Sequence, residues 1–175
     1  MAKQVKQKKV KITFGPASVY CTANAIGFPT IEKGCNAFGL TAVKCGWSIK
    51  AGARFENAPN PDPALKDVTL WFPNAENQHW NNNVKGSTII ETPKDPSKNA
   101  LQVNNFLNRP ELRITFMKDD AQWNGYKFIG VYELDINATK SRNACVWKQI
   151  TSIPCIHSDL REIKQYLQSQ NQKHP

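Results

Sequence analysis

No apolar run in this 175-residue chain approaches the roughly 18 residues needed to span a bilayer, so no membrane partner is expected. The basic start MAKQVKQKKVKITF lacks the following apolar stretch of about 7 to 15 residues that a secretory signal carries, and a cytoplasmic location is expected. Paired metal ligands of the C-x2-C or H-x3-H kind are missing, and His79, His157 and His174 stand alone; neither metal nor cofactor is expected. The five cysteines, Cys21, Cys35, Cys45, Cys145 and Cys155, are odd in number and widely spaced, which suits reduced thiols better than a disulfide framework. Missing too are the phosphate-loop, nucleophile-elbow, H-E-x-x-H and zinc-deaminase signatures, so no catalytic residues are assigned.

Acidic residues are scarce in the first 55 positions, where Glu32 stands against Lys3, Lys6, Lys8, Lys9, Lys11, Lys33, Lys44, Lys50 and Arg54. Most of the formal net charge of +9 is therefore concentrated in the first third of the chain. A one-sided distribution focuses positive potential and attracts polyanions, so nucleic acid is the expected partner, with an acidic protein as the alternative. Lys8, Lys9 and Lys11 form a candidate basic arm, and Lys44, Lys50 and Arg54 are candidate phosphate contacts.

The length suits one domain with a single core. A basic, flexible arm is expected over 1–9, a single domain over 10–170 and a frayed tail over 171–175. Val10–Phe14 alternates like a half-buried strand, 17–39 reads as turns and short strands, and 40–45 is a further strand. Over 46–55 the pattern is a strand, a turn at Gly52 and a return. Three prolines, Pro59, Pro61 and Pro63, mark a surface loop, and VTLWF at 68–72 is a core strand. The asparagine-rich stretch 74–86 reads as a polar loop, followed by a strand over 87–91.

Asp95-Pro96 supplies a cap and a first helical residue for a helix reaching about Leu107. The stretch 112–150 reads as three sequential antiparallel strands, 112–117, 126–134 and 145–150, with a turn over 119–125 and a loop over 137–143. Asp159 to Glu162 fits a capping box opening a last helix whose Leu160, Ile163 and Leu167 share one face.

Tryptophans outnumber what a core of this size needs. Trp71 and Trp147 are expected in the core, whereas Trp80 and Trp123 fall in polar loops, where an exposed ring can stack on a base. Trp47, Trp80 and Asn82 are the candidate pocket residues, with Trp123 at the rim. Two carboxylate pairs, Asp119-Asp120 and Glu133-x-Asp135, are the candidates for metal-dependent phosphodiester cleavage, against an ordinary turn and a solvated strand end.

The segment RITFMKDDAQWNGYKFIGVYELDINATKSRNACVWKQI resembles the C-terminal half of PUA-like barrel modules of prokaryotic restriction and defence proteins, a superfamily that includes SRA-type modified-cytosine readers and the EVE and ASCH families. The resemblance rests on Phe128, Gly130, Val131, Tyr132, Leu134 and Asp135, then Val146, Trp147, Lys148 and Ile150. It implies a β-rich α+β fold: a single curved or closed, mostly antiparallel β-barrel with flanking helices and a C-terminal helix, whose concave face accepts a flipped base or a nucleotide-like ligand. The favoured expectation is a non-catalytic nucleic-acid-binding module, DNA more than RNA, reading a flipped or modified base in bacterial or phage defence. A protein-interaction module or phage-type inhibitor, and a metal-dependent nuclease, stay open as alternatives.

Overall fold

The computed structural model describes residues 8–75 and 77–173, so Lys3 and Lys6 of the expected arm and the last two residues of the expected tail lie outside the described residues. In chain order the strands are β1 (Thr13–Phe14), β2 (Val19–Cys21), β3 (Ile26–Phe28), β4 (Lys44–Cys45), β5 (Ser48–Ile49), β6 (Gly52–Arg54), β7 (Val68–Trp71), β8 (Trp80–Lys85), β9 (Thr88–Pro93), β10 (Leu112–Lys118), β11 (Tyr126–Leu134), β12 (Cys145–Gln149) and β13 (Cys155–His157). The helices are α1 (Ile31–Ala37), α2 (Asn99–Asn108), α3 (Ile136–Arg142) and α4 (Arg161–Lys173).

One nine-stranded sheet organises the molecule, in the order β6-β7-β10-β11-β12-β9-β8, with β3 added to β11 and β1 to β3. The expected meander is present as β10, β11 and β12, paired antiparallel. The sheet as a whole is mixed, because β7 runs parallel to β10 and β1 parallel to β3. Most of its pairings are nonetheless antiparallel, as expected; closure into a barrel is not found, and among the described residues β6 and β8 remain unpaired with each other and form the two ends of the sheet path.

Curvature originates in β11. Its first residues pair with β3 and its last with β12. Between them the register to β10 slips by one residue at Thr115/Phe116, opposite Gly130, whose φ is 134°. An extra residue at such a bulge bends the strand and increases local twist, and glycine supplies the required backbone conformation.

The strand period sorts β10 between two faces. Leu112, Ile114 and Phe116 enter the larger core with Phe28, Leu70, Val131 and Phe128, covered by α1 and α4. Arg113 faces the other side, where Trp71, Ile89, Tyr132 and Trp147 pack with Val103 and Phe106 of α2. Burying a large apolar side chain contributes roughly 1.5–3 kcal/mol, so these two clusters dominate stability.

Several local expectations need correcting. The 17–39 stretch contains α1, started by Thr30, whose hydroxyl accepts from the Lys33 amide at 3.2 Å. Gly34 sits inside that helix because a side chain there would meet the Phe72 ring at 2.5 Å. The turn expected at Gly52 lies instead at Gly46-Trp47, between β4 and β5. The asparagine-rich stretch is not a loop throughout: 80–85 is edge strand β8, hydrogen-bonded along β9. The stretch expected as a loop at 137–143 is largely α3, capped by the Asp135 carboxylate accepting from the Ala138 amide. At α4, Asp159 accepts from the Arg161 amide, but Glu162 reaches the His157 amide, so the expected reciprocal box does not form. Finally, Cys21 and Cys155 form a disulfide between β2 and β13, which overturns the expectation of five reduced thiols; Cys35, Cys45 and Cys145 are free.

Candidate nucleic-acid interface

The two unpaired sheet ends converge on one cavity. Ala51, Gly52 and Arg54 contribute from the β6 side, Asn77, Trp80 and Asn82 from the β8 side. The cavity measures about 250 Å³. Its floor is built by β7, β9 and β10, and Gln102 and Phe106 of α2 complete its wall.

Polar residues reach this floor by strand parity. Asn82 of β8 lies directly opposite Glu91 of β9, so both side chains project from the same face. Arg113 on β10 is buried with Glu91 and Glu111: its Nη1 donates to Glu91 Oε2 at 2.7 Å and its Nε to Glu111 Oε1 at 2.9 Å. Thr69 donates its hydroxyl to Glu111 at 2.8 Å, and Gln102 donates through Nε2 to Glu91. The Arg113 guanidinium also lies 3.7 Å from the Trp147 ring centroid, 4.3 Å from Trp71 and 4.7 Å from Phe106. A planar, weakly hydrated cation suits this box of rings and carboxylates, where a lysine would make fewer contacts.

This network leaves acceptors uncommitted. Asn82 donates through Nδ2 to the Asn74 carbonyl at 2.8 Å, which orients the amide, and its buried Oδ1 has no partner among the described residues. Gln102 Oε1 is likewise buried without one. A buried acceptor without a partner costs free energy, so the cavity favours a ligand presenting hydrogen-bond donors. Burial also pushes the nearby Cys145 thiol up to about 12, with the Glu91 charge adding to the effect.

The structure separates the sequence candidates. Trp80 and Asn82 come together at the cavity. Trp47 does not line it; its side chain is fully exposed at the turn between β4 and β5. Trp123 is an 8% exposed anchor packed with Ile12 and Met117, its indole N–H donating to the Met117 carbonyl at 2.9 Å. Arg54 lines the cavity and is engaged with Glu56 at 3.2 Å and Glu111 at 3.8 Å. Lys44 and Lys50 flank the exposed Trp47 turn, and Lys8, Lys9 and Lys11 are exposed around Val10, which bridges to Trp123.

Strand directions bring these cations to one end of the sheet. The segment entering β6, the β8–β9 turn and the β10–β11 turn all lie beyond the end toward which β10 runs. That end therefore carries Lys44, Lys50, Lys85, Lys118 and Lys127, with the lysines around Val10 beside Trp123. Asp119 in the same region is committed to its own turn, accepting from the Ala121 amide and the Gln122 side chain.

The two carboxylate pairs weighed for phosphodiester cleavage sit at opposite ends of β11. Glu133 accepts from the Tyr166 hydroxyl at 2.6 Å, and Asp135 caps α3. Among the described residues no group of three or more His, Cys, Asp or Glu side chains is placed to hold a metal.

Glu91, Glu111, Arg113, Gln102 and Phe106 were not among the sequence candidates. The available signal was the charge inside an apolar strand: Arg113 in LRITFM and Glu91 in TIIET occupy alternate positions that must face inward or lie on an open edge.

Comparison with known proteins agrees with this architecture. No curated protein sequence matches the chain. Its structure is similar to that of the 5-hydroxymethylcytosine-specific restriction enzyme AbaSI, with a TM-score of 0.58 and 26% identity over 80% of this chain. The chain spans 42% of that enzyme's length. The family model for the SET and RING associated domain, SRA, matches residues 19–154, well over half of the chain and far beyond the C-terminal strands that carried the resemblance. The chain belongs to the SRA domain family, within the PUA-like superfamily.

Proposed function

We propose that this protein is a DNA-binding module that takes a single base, a cytosine carrying a 5-substituent, out of the duplex and holds it in the cavity between β6 and β8. The observation that carries this reading is the convergence of two sheet-edge strands on an aromatic-walled cavity with uncommitted buried acceptors. A flipped base needs a flat wall and hydrogen bonds to its polar edge. Trp80 and Phe106 supply aromatic wall, while Glu91 and Asn82 offer acceptors to an exocyclic amine, the pairing that carboxylates make with cytosine N4.

AbaSI, by name, is specific for 5-hydroxymethylcytosine, and that base is the favoured ligand here. Its hydroxyl is an additional hydrogen-bonding group for a cavity that Gln102 lines. Lys8, Lys9, Lys11, Lys44, Lys50 and the cations at the same end of the sheet contact phosphates, supplying salt-dependent affinity without sequence preference. The module acts in modification-dependent restriction by recognition, without cutting DNA itself.

The test is fluorescence anisotropy with duplexes that differ at one position: cytosine, 5-methylcytosine or 5-hydroxymethylcytosine, each across a salt series. Wild-type protein should prefer the hydroxymethylated duplex, and Asn82→Ala should lose that preference while keeping its salt dependence. Equal affinity for all three duplexes, unchanged by Asn82→Ala, would overturn the reading.

A further inference from the structure

Trp80 belongs to two cavities at once. Besides the base cavity it lines a second cleft of about 450 Å³, shared with His79, Pro93, Lys94, Asp95 and Lys98. None of these cations belongs to the basic first third of the chain, and only the fold brings them beside the cavity.

We propose that this second cleft is a phosphodiester site, holding the DNA backbone next to the nucleotide whose base fills the first cavity. The inference rests on the base-capture reading. A nucleotide joins its base to a phosphate through one sugar, so a cation site separated from a base cavity by a single aromatic ring matches the reach of one nucleotide.

The cleft is organised before any ligand arrives. Asn77 Oδ1 accepts from the backbone amides of both His79 and Trp80, each at 2.8 Å, which fixes the turn carrying these two side chains. The Lys94 amide donates to the His79 carbonyl at 2.8 Å, tying that turn to the end of β9. Asp95, the one acidic side chain lining the cleft among the described residues, accepts from the Ser97 amide at 3.0 Å and the Ser97 hydroxyl at 2.7 Å and also attracts Lys98. The Lys98 ammonium and the His79 imidazole suit a compact, singly charged phosphodiester; among the described residues lining the cleft there is no arginine to supply the bidentate fork that carboxylate recognition uses.

The experiment pairs a protein change with a DNA change. Duplexes carrying the preferred base are made with one uncharged methylphosphonate linkage on the 5′ or the 3′ side of it. Binding is measured across a salt series for wild type and for His79→Gln/Lys98→Ala, both substitutions lying on exposed side chains. One phosphate contact contributes about 0.9 to the slope of log affinity against log salt. The double variant should lose about that much, the neutral linkage on one side should cost wild type the same, and the two together should cost no more than either alone. Losses that add, or no loss from either neutral linkage, would overturn the second site. The base-capture reading has its own control in the same data set: it fails if Asn82→Ala leaves discrimination among bases intact, whatever the neutral linkages do.

Discussion

Arg113 Nη1 lies 2.7 Å from Glu91 Oε2 although both side chains are more than nine-tenths buried, and Glu111 holds the same guanidinium from its other side. A buried ion network of this kind does not owe its presence to stability, because desolvation offsets most of the Coulombic gain. Its consequence is positional: it fixes the acceptors on the floor of a cavity. Removing one member leaves the rest uncompensated.

Arg113→Met should therefore destabilise the protein by about 3–5 kcal/mol, since Glu91 and Glu111 would face each other without their shared cation. Urea unfolding of the single variant, and of Arg113→Met combined with Glu91→Gln and Glu111→Gln, checks this. The triple variant should recover much of the loss. A single variant as stable as wild type would show that the network is solvated.

The Cys21–Cys155 disulfide closes a loop across most of the chain, from β2 to β13, so it constrains the unfolded chain strongly. Reduction should lower stability by about 2–5 kcal/mol. Alkylation of the native protein under non-reducing conditions, followed by mass spectrometry, should modify Cys45 alone, since Cys35 and Cys145 are buried. Rapid labelling of Cys21 or Cys155 would contradict the pairing.

Alkaline pH should weaken the fold through the buried thiols. Burial pushes Cys145 from an ordinary value of 9.0 up to about 12 and Cys35 up to about 11. Below pH 9 both thiols are protonated in folded and unfolded chains, and their contribution is fully present. Above it the unfolded chain releases protons that the folded protein retains, so stability falls until the folded values are passed. Urea midpoints measured from pH 8 upward should decline, less steeply in Cys145→Ala. An unaltered slope in that variant would remove Cys145 as a source.

Trp47 tests the exterior of the proposed interface. Its ring is wholly exposed on a turn flanked by Lys44 and Lys50, so Trp47→Ala should leave thermal stability unchanged. If the ring stacks on DNA, the substitution should cost about 1–3 kcal/mol of binding. Unchanged affinity would leave only the lysines of that hairpin in contact with DNA.

Neutralising Lys8, Lys9 and Lys11 together should weaken binding equally for modified and unmodified duplexes and flatten the salt dependence. A selective loss for the modified duplex would instead place these residues at the base.

How much was legible depended on the source of each signal. The strands 112–117, 126–134 and 145–150 announce themselves by their β-forming, apolar-rich pattern; in 112–117 Leu112, Ile114 and Phe116 enter the larger core while Arg113 and Thr115 alternate onto the opposite face, which is buried too. Asp95-Pro96 likewise announced the start of a helical segment, which begins as a tight turn over Pro96–Lys98 and continues as α2. Strand β8 did not, because an edge strand of asparagines is held by pairing to β9 and has neither apolar alternation nor strong β-propensity. Helix α1 was obscured by Gly34, a residue chosen for close contact with Phe72 and not for helix formation.

What the sequence determined by itself was therefore local or summed: the one-sided charge, the core strands, the absence of a membrane-spanning run, and the superfamily of the last strands. Only the tertiary structure decided that Asn82, Glu91, Glu111 and Arg113 share one cavity, that Trp123 is an anchor, that Trp47 stands outside, and that Cys21 meets Cys155. The physical reason is sequence distance. Alternation and capping act between neighbours a few residues apart, whereas the cavity is assembled from strands whose order in the sheet is not their order in the chain.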